Sequence, residues 1–184
     1  MSTNNIAVIV GSLRKDSLNL KMAKALIAVA PETLHLKILE IGELPMYNED
    51  LDESPPKAWT DFRNQLKNFD GILIVTPEYN RSVPAVLKNA IDVASRPYGK
   101  SAWDGKPAAV VSVSPGHIGG FGANHHLRQS LVFLNVPVMA QPEAYIGHAA
   151  DLFDSQGNLT NESTLQFARN FMLTFSKWVA KITA

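Results

Sequence analysis

The sequence predicts an α/β protein, a doubly wound five-stranded parallel sheet with helices on both faces. Three observations lead there. Uninterrupted apolar runs such as Ile6-Ala7-Val8-Ile9-Val10 and Ile72-Leu73-Ile74-Val75 read as strands buried on both faces. Between them, apolar residues recur at helical spacing. Strands alternate with helices along the chain, the pattern of a parallel sheet covered on both sides. Five such strands suggest the order 2-1-3-4-5, although pattern alone does not fix strand order. With 184 residues, 46% of them hydrophobic, and neither linker nor internal repeat, the chain reads as a single domain over residues 1–184.

The first strand occupies residues 6–10 and ends at Gly11. After a polar loop, Leu18, Met22, Leu26 and Val29 mark a helix that stops before Pro31. The second strand, residues 34–41, alternates Leu34, Leu36 and Ile38 with His35, Lys37 and Leu39. Residues 42–56, rich in acid, proline and turn formers, make a long surface connection. Trp59, Phe62, Leu66 and Phe69 carry the next helix, and Gly71–Thr76 is a third strand cut off by Pro77. The best-patterned helix follows, with Val83, Val86, Leu87, Ala90, Ile91 and Ala94 on one stripe. Residues 107–113 supply a fourth strand, residues 116–122 a glycine-rich loop, and Leu127, Leu131 and Leu134 a helix. The fifth strand is expected at residues 136–140, running on irregularly to Ile146. After a turn at residues 154–158, the last helix aligns Ala168, Phe171, Met172, Phe175, Val179 and Ile182.

Composition narrows the function. Basic and acidic residues balance at 17 each, which leaves no global electrostatic footprint for nucleic acid or an anionic membrane. The absence of cysteine excludes disulfides, thiolate catalysis, iron–sulfur clusters and cysteine-based zinc sites. Redox chemistry would therefore fall to a bound cofactor. The start, Met1-Ser2-Thr3-Asn4-Asn5, has no basic region, and the apolar run at residues 6–10 is too short for a signal peptide or a membrane span. The expectation is a soluble cytoplasmic protein with neither membrane nor nucleic-acid partners.

In a sheet of this order, ligands bind beyond the carboxyl ends of the strands, at the switch point between strands one and three. The loops there are residues 11–19 and 77–82. The first, Gly11-Ser12-Leu13-Arg14-Lys15-Asp16-Ser17-Leu18-Asn19, offers two serine hydroxyls, an amide and the amino terminus of a helix. Free backbone N–H groups and the helix dipole make an anion site there, and the Arg14 fork suits phosphate oxygens. An ordinary helix start, capped by Ser17 with a solvated Arg14-Lys15 pair, reads equally well from this loop alone. The loop lacks G-x-G-x-x-G and the P-loop pattern, which counts against a dinucleotide fold and against nucleotide hydrolysis. In the second loop, Pro77-Glu78-Tyr79-Asn80-Arg81-Ser82-Val83-Pro84, amides and Asn80 suit the polar edge of a planar heterocycle. A rigid turn whose Tyr79 covers the core edge is the plainer reading of that loop by itself.

Taken together, three stretches decide between these readings. Gly11-Ser12-Leu13-Arg14-x-x-Ser17-x-Asn19, Pro77-Glu78-Tyr79-Asn80-x-Ser82-Val83-Pro84 and Leu87-Lys88-Asn89-Ala90-Ile91-Asp92 closely resemble the NAD(P)H-dependent FMN reductase family, which includes quinone, azo-dye and chromate reductases. The likeness covers most of the chain, from Ile6 through Gly105-Lys106-Pro107 to Leu127-Arg128-Gln129. It implies a flavodoxin-like fold that binds FMN and takes NADPH or NADH as co-substrate. It implies further that Ser12, Arg14, Ser17, the Leu18 backbone and Asn19 hold the FMN phosphate. Pro77, Glu78, Tyr79 and Asn80 would line the isoalloxazine ring, and Ser114 with residues 116–120 would close the site. A homodimer or homotetramer with the flavin near a subunit interface is also implied. Residues 121–126 depart most from the family pattern.

The chemistry implied is hydride transfer from the nicotinamide to flavin N5, then delivery to a quinone, flavin, azo or chromate-like acceptor, with no protein nucleophile or base required. The alternative is a flavodoxin-type electron carrier or a flavin-dependent sensor. Carriers are strongly acidic, whereas this chain has zero net charge and an arginine in its phosphate loop. No metal is expected, since His125 and His126, adjacent on a helix, point apart. His117, between Gly116 and a glycine pair, is a candidate for the site rim, and Trp103 for a subunit interface.

Overall fold

The computed structural model describes residues 3–184; Met1 and Ser2, the first residues of the amino-terminal stretch read above, lie outside the described residues. Five strands, β1 (Asn4–Val10), β2 (Leu34–Leu39), β3 (Gly71–Thr76), β4 (Ala108–Val113) and β5 (Ala144–Ile146), form one sheet in the order β2-β1-β3-β4-β5. Every pairing is parallel. This is the flavodoxin-like doubly wound arrangement, with its switch point between β1 and β3.

Helices α1 (Leu18–Ala28) and α5 (Glu162–Thr183) cover one face, and α2 (Lys57–Lys67), α3 (Ala85–Ala94) and α4 (Phe121–Phe133) the other. Strand alternation explains the unbroken apolar runs. Ile6, Val8 and Val10 of β1 pack with Met22, Leu26, Phe171 and Phe175, while Ala7 and Ile9 pack with Trp59, Leu66 and Leu87. In β3, Leu73 and Val75 join the first cluster and Ile72 and Ile74 the second. Each large apolar side chain buried in this way stabilises the fold by about 1.5–3 kcal/mol.

Two boundaries and one residue's placement differ from expectation, each for a visible reason. The fifth strand is not at residues 136–140, where Val138 makes only a single bridge to Ala108. Pro137 and Pro142 have no N–H to offer a ladder, and the pairing proper begins at Ala144, beside Val111. Helix α4 starts at Phe121, inside the stretch 116–122 expected to be loop, because Gly120 adopts a left-handed φ of 76° and opens the helix within the glycine run. Trp103 is no surface residue: it is fully buried, and its indole N–H donates to the Ile91 carbonyl at 3.0 Å.

Candidate functional site

The strands end nearly level, and the loops that leave β1, β3 and β4 gather around one cleft. Gly11 makes this possible, because its N–H donates to the Val75 carbonyl (2.9 Å) and a Cβ there would lie 2.9 Å from the Thr76 hydroxyl. The cleft has a volume of about 250 Å³. Ser12, Arg14, Ser17, Leu18 and Asn19 line it from the first loop, Pro77, Glu78 and Tyr79 from the second, and Val113, Ser114 and Pro115 from the end of β4. The structure thus brings together the site residues named from the sequence, except that residues 116–120, expected to close the site, do not line the cleft and neither does Asn80. Asn80 stands at the exposed tip of the second loop with φ 51°. Val113 and Pro115 are additions that sequence reasoning missed; the sequence signal was their adjacency to Ser114.

The first loop carries groups that suit an anion. Ser17 caps α1, its hydroxyl oxygen accepting from the Leu20 N–H at 3.2 Å. The preceding turn is held by the Ser12 hydroxyl, which accepts from the Arg14 N–H at 3.4 Å. The N–H groups of Leu18 and Asn19, in the first turn of the helix, have no intrahelical acceptor and carry the positive end of its dipole. Exposed Arg14 adds the neighbouring charge. Asn19 is almost fully buried; its Nδ2 donates to the Val113 carbonyl at 3.4 Å, but its Oδ1 has no hydrogen-bond partner. A buried acceptor of this kind calls for a donor. A ribityl hydroxyl of FMN is one, and the phosphate suits the free amides, so the residues fit this cofactor.

The second loop is a two-residue turn. Tyr79 and Ser82 exchange backbone hydrogen bonds of 3.1 and 2.9 Å around Asn80 and Arg81, whose φ values are 51° and 62°. Left-handed backbone at two successive residues is the geometry of a type I′ turn, and at a non-glycine residue it costs about 1 kcal/mol or more. The turn is pinned to α4. Glu78 accepts from the Ala123 N–H through Oε2 (3.0 Å) and pairs with Arg81 through Oε1 (3.2 Å), while the Ser82 hydroxyl meets His126 Nδ1 at 3.1 Å. Half-exposed Tyr79 stands at the cleft rim.

Beyond β4, the Ser114 hydroxyl accepts from the Gly116 N–H at 3.0 Å. His117 faces His148 with 3.1 Å between ring nitrogens, and His125 reaches the Tyr145 hydroxyl at 2.9 Å while its neighbour His126 turns to Ser82. Among the described residues, no group of three or more metal-ligating side chains converges. A larger hollow of about 400 Å³ lies between α3 and α4, with Lys88, Asp92, Arg96 and Phe133 among its walls. It lies away from the switch point, and neither ligand loop reaches it.

Burial pushes the Tyr145 phenol up to about 12, reinforced by the hydrogen bond and charge of Glu143 and opposed by Arg128. The folded state therefore holds this proton more tightly than the unfolded chain. Its contribution to stability is whole below pH 10 and is lost as pH rises from 10 to 12. Urea unfolding across that window is expected to show a shallower decline for Tyr145→Phe than for the wild type. Parallel declines in the two proteins would refute the assignment.

The sequence profile of the family described as NADPH-dependent FMN reductase matches residues 4–151. The chain belongs to this family. Among relatives of this FMN reductase is a quinone reductase of Pseudomonas putida, 62% identical over 176 residues that span 95% of this chain and 94% of the relative. A 2-hydroxy-1,4-benzoquinone reductase of Burkholderia sp. is 47% identical over 174 residues, 95% of each chain. In three dimensions, the flavoenzyme FerB, an NAD(P)H:(acceptor) oxidoreductase from Paracoccus denitrificans, is similar with a TM-score of 0.91 and 44% identity, covering 97% of this chain and 98% of FerB. The FMN reductase is thus an oxidoreductase that uses FMN and a nicotinamide nucleotide.

Proposed function

We propose that this FMN reductase is a cytoplasmic quinone reductase, acting as a single domain within a homodimer or homotetramer. The observation that carries the reading is the convergence of the loops after β1 and β3 on one cleft. When bound there, FMN supplies a hydride acceptor at N5 and delivers electrons to the next substrate. Ser12, Ser17, Arg14 and the Leu18 and Asn19 amides hold the phosphate; the Asn19 side chain meets the ribityl chain; the backbone of residues 77–79 and the Ser114 hydroxyl border the ring. Asn80, outside the cleft, addresses a bound substrate or a partner subunit instead.

The cleft contains one carboxylate, Glu78, and it is already engaged by Arg81 and the Ala123 amide. With no free acid at hand, the proton that completes quinone reduction comes from solvent. An open rim with no dedicated base also admits free flavin, azo and chromate-like acceptors, so the same reading extends to them. Exposed Val132 and Phe133 on α4, beside the hollow between α3 and α4, support a subunit contact on that face.

Steady-state oxidation of NADPH and NADH, with benzoquinone, free flavin, an azo dye and chromate compared side by side, tests the reading. Rapid quinone turnover with parallel double-reciprocal lines is expected, since both substrates use one cleft in turn. A yellow protein without turnover would point instead to an electron carrier or a sensor.

A further inference from the structure

We propose that the Glu78 side chain is a positioning group: its carboxylate is the amino-terminal cap of α4, and through that cap it fixes the turn that borders the flavin ring. The inference rests on the flavin reading above but departs from the ring-lining role that resemblance gives Glu78.

Helix α4 begins without a cap of its own. Its first flanking residue is Gly120, left-handed at φ 76°, with no side chain to accept from the exposed amides, and no acidic residue occupies its first turn. The missing acceptor comes from a distant part of the chain. Glu78 Oε2 accepts from the Ala123 N–H at 3.0 Å, and the side chain is only 11% exposed. A carboxylate at a helix amino terminus meets both the orphan donors and the dipole. Gly122 is shaped to the contact, because a Cβ there would lie 2.9 Å from both Glu78 Oε2 and the Arg81 carbonyl oxygen. His126 closes on Ser82 from the next helical turn.

These contacts bind the strained Asn80-Arg81 turn to the helix that follows the glycine loop, so the wall of the cleft that residues 77–79 form is anchored to α4. Backbone held in sparsely populated regions persists where neighbouring structure over-determines it. The Glu78 clamp supplies that constraint. Arg81 itself is 71% exposed and serves as the outer partner of the carboxylate.

The experiment is hydrogen exchange at the Ala123 amide, measured on the full chain without added flavin, alongside the dissociation constant for FMN. In Glu78→Ala, Ala123 is expected to exchange about tenfold faster and FMN to bind about tenfold more weakly, the scale of a lost helix cap. Glu78→Gln keeps an acceptor for Ala123 and is expected to recover most of both effects. Gly122→Ala drives a Cβ into the contact while leaving Glu78 in the sequence, and is expected to weaken FMN binding although alanine favours the helix.

Unchanged Ala123 exchange or unchanged FMN affinity in Glu78→Ala would overturn the proposal. So would a Gln variant as weak as Ala with Ala123 still protected, because the charge would then be addressing the ligand. If Glu78→Ala does not fold, the Gln and Gly122 variants decide the question. A wild type that binds no FMN would sink the flavin reading, whereas Ala123 exchange would still report on the cap.

Discussion

Replacing Arg14 and Ser17 together by alanine is expected to weaken FMN binding by about two to three orders of magnitude without unfolding the protein. Charge-assisted hydrogen bonds to phosphate contribute about 1.5–3 kcal/mol each, and about 1.4 kcal/mol corresponds to a factor of ten. Arg14 is exposed, so its removal leaves no buried group stranded. Ser17 accepts from the Leu20 N–H, and losing that cap costs about 1 kcal/mol of stability. Fluorescence titration with FMN and thermal unfolding of the same samples separate the two effects. Wild-type affinity in the double variant would remove the phosphate assignment; a cooperative unfolding transition with weak binding would support it.

Gly119→Ala is expected to be the most damaging single substitution to the fold near the site. Its φ of 64° is left-handed, and a Cβ there would lie 2.6 Å from the Tyr145 carbonyl carbon and 2.7 Å from its oxygen. The neighbour is backbone of β5, the shortest strand of the sheet, and cannot rotate out of the way. Strain and overlap together cost about 3 kcal/mol or more, a fall in melting temperature of about 6–12 °C for a chain of this length. Thermal unfolding within a degree or two of the wild type would show that the loop can move aside. Either outcome measures how firmly the glycine loop is seated on β5.

Much of this arrangement was legible in the sequence because its causes are local. Residues 6–10 and 72–75 are continuous apolar runs, the trace that a strand buried on both faces leaves in a sequence. The ligand loops are contiguous stretches whose hydroxyls, amides and prolines announce themselves in one reading. What escaped notice depends on contacts across the fold. The start of α4 was hidden because its cap, Glu78, lies 45 residues upstream. The fifth strand shifted because Pro137 and Pro142 interrupt a run that is otherwise apolar enough to pair. The burial of Trp103 depends on the Ile91 carbonyl, which receives its indole N–H and is set by the end of α3. Asn80 shares a motif with Tyr79, yet the left-handed turn carries it away from the cleft.

One feature of the sheet bears on how such a protein diversifies. Strands β3 and β4 are buried along their whole length, whereas exposed apolar side chains at the carboxyl end of the sheet stand on the segments that follow the strands. Leu13, Ile118 and Phe121 are 60%, 51% and 47% exposed. Changes at these three alter the surface around the cleft while leaving packing density in the interior untouched. The surroundings of the cleft are therefore free to drift under selection along a path that costs the scaffold little.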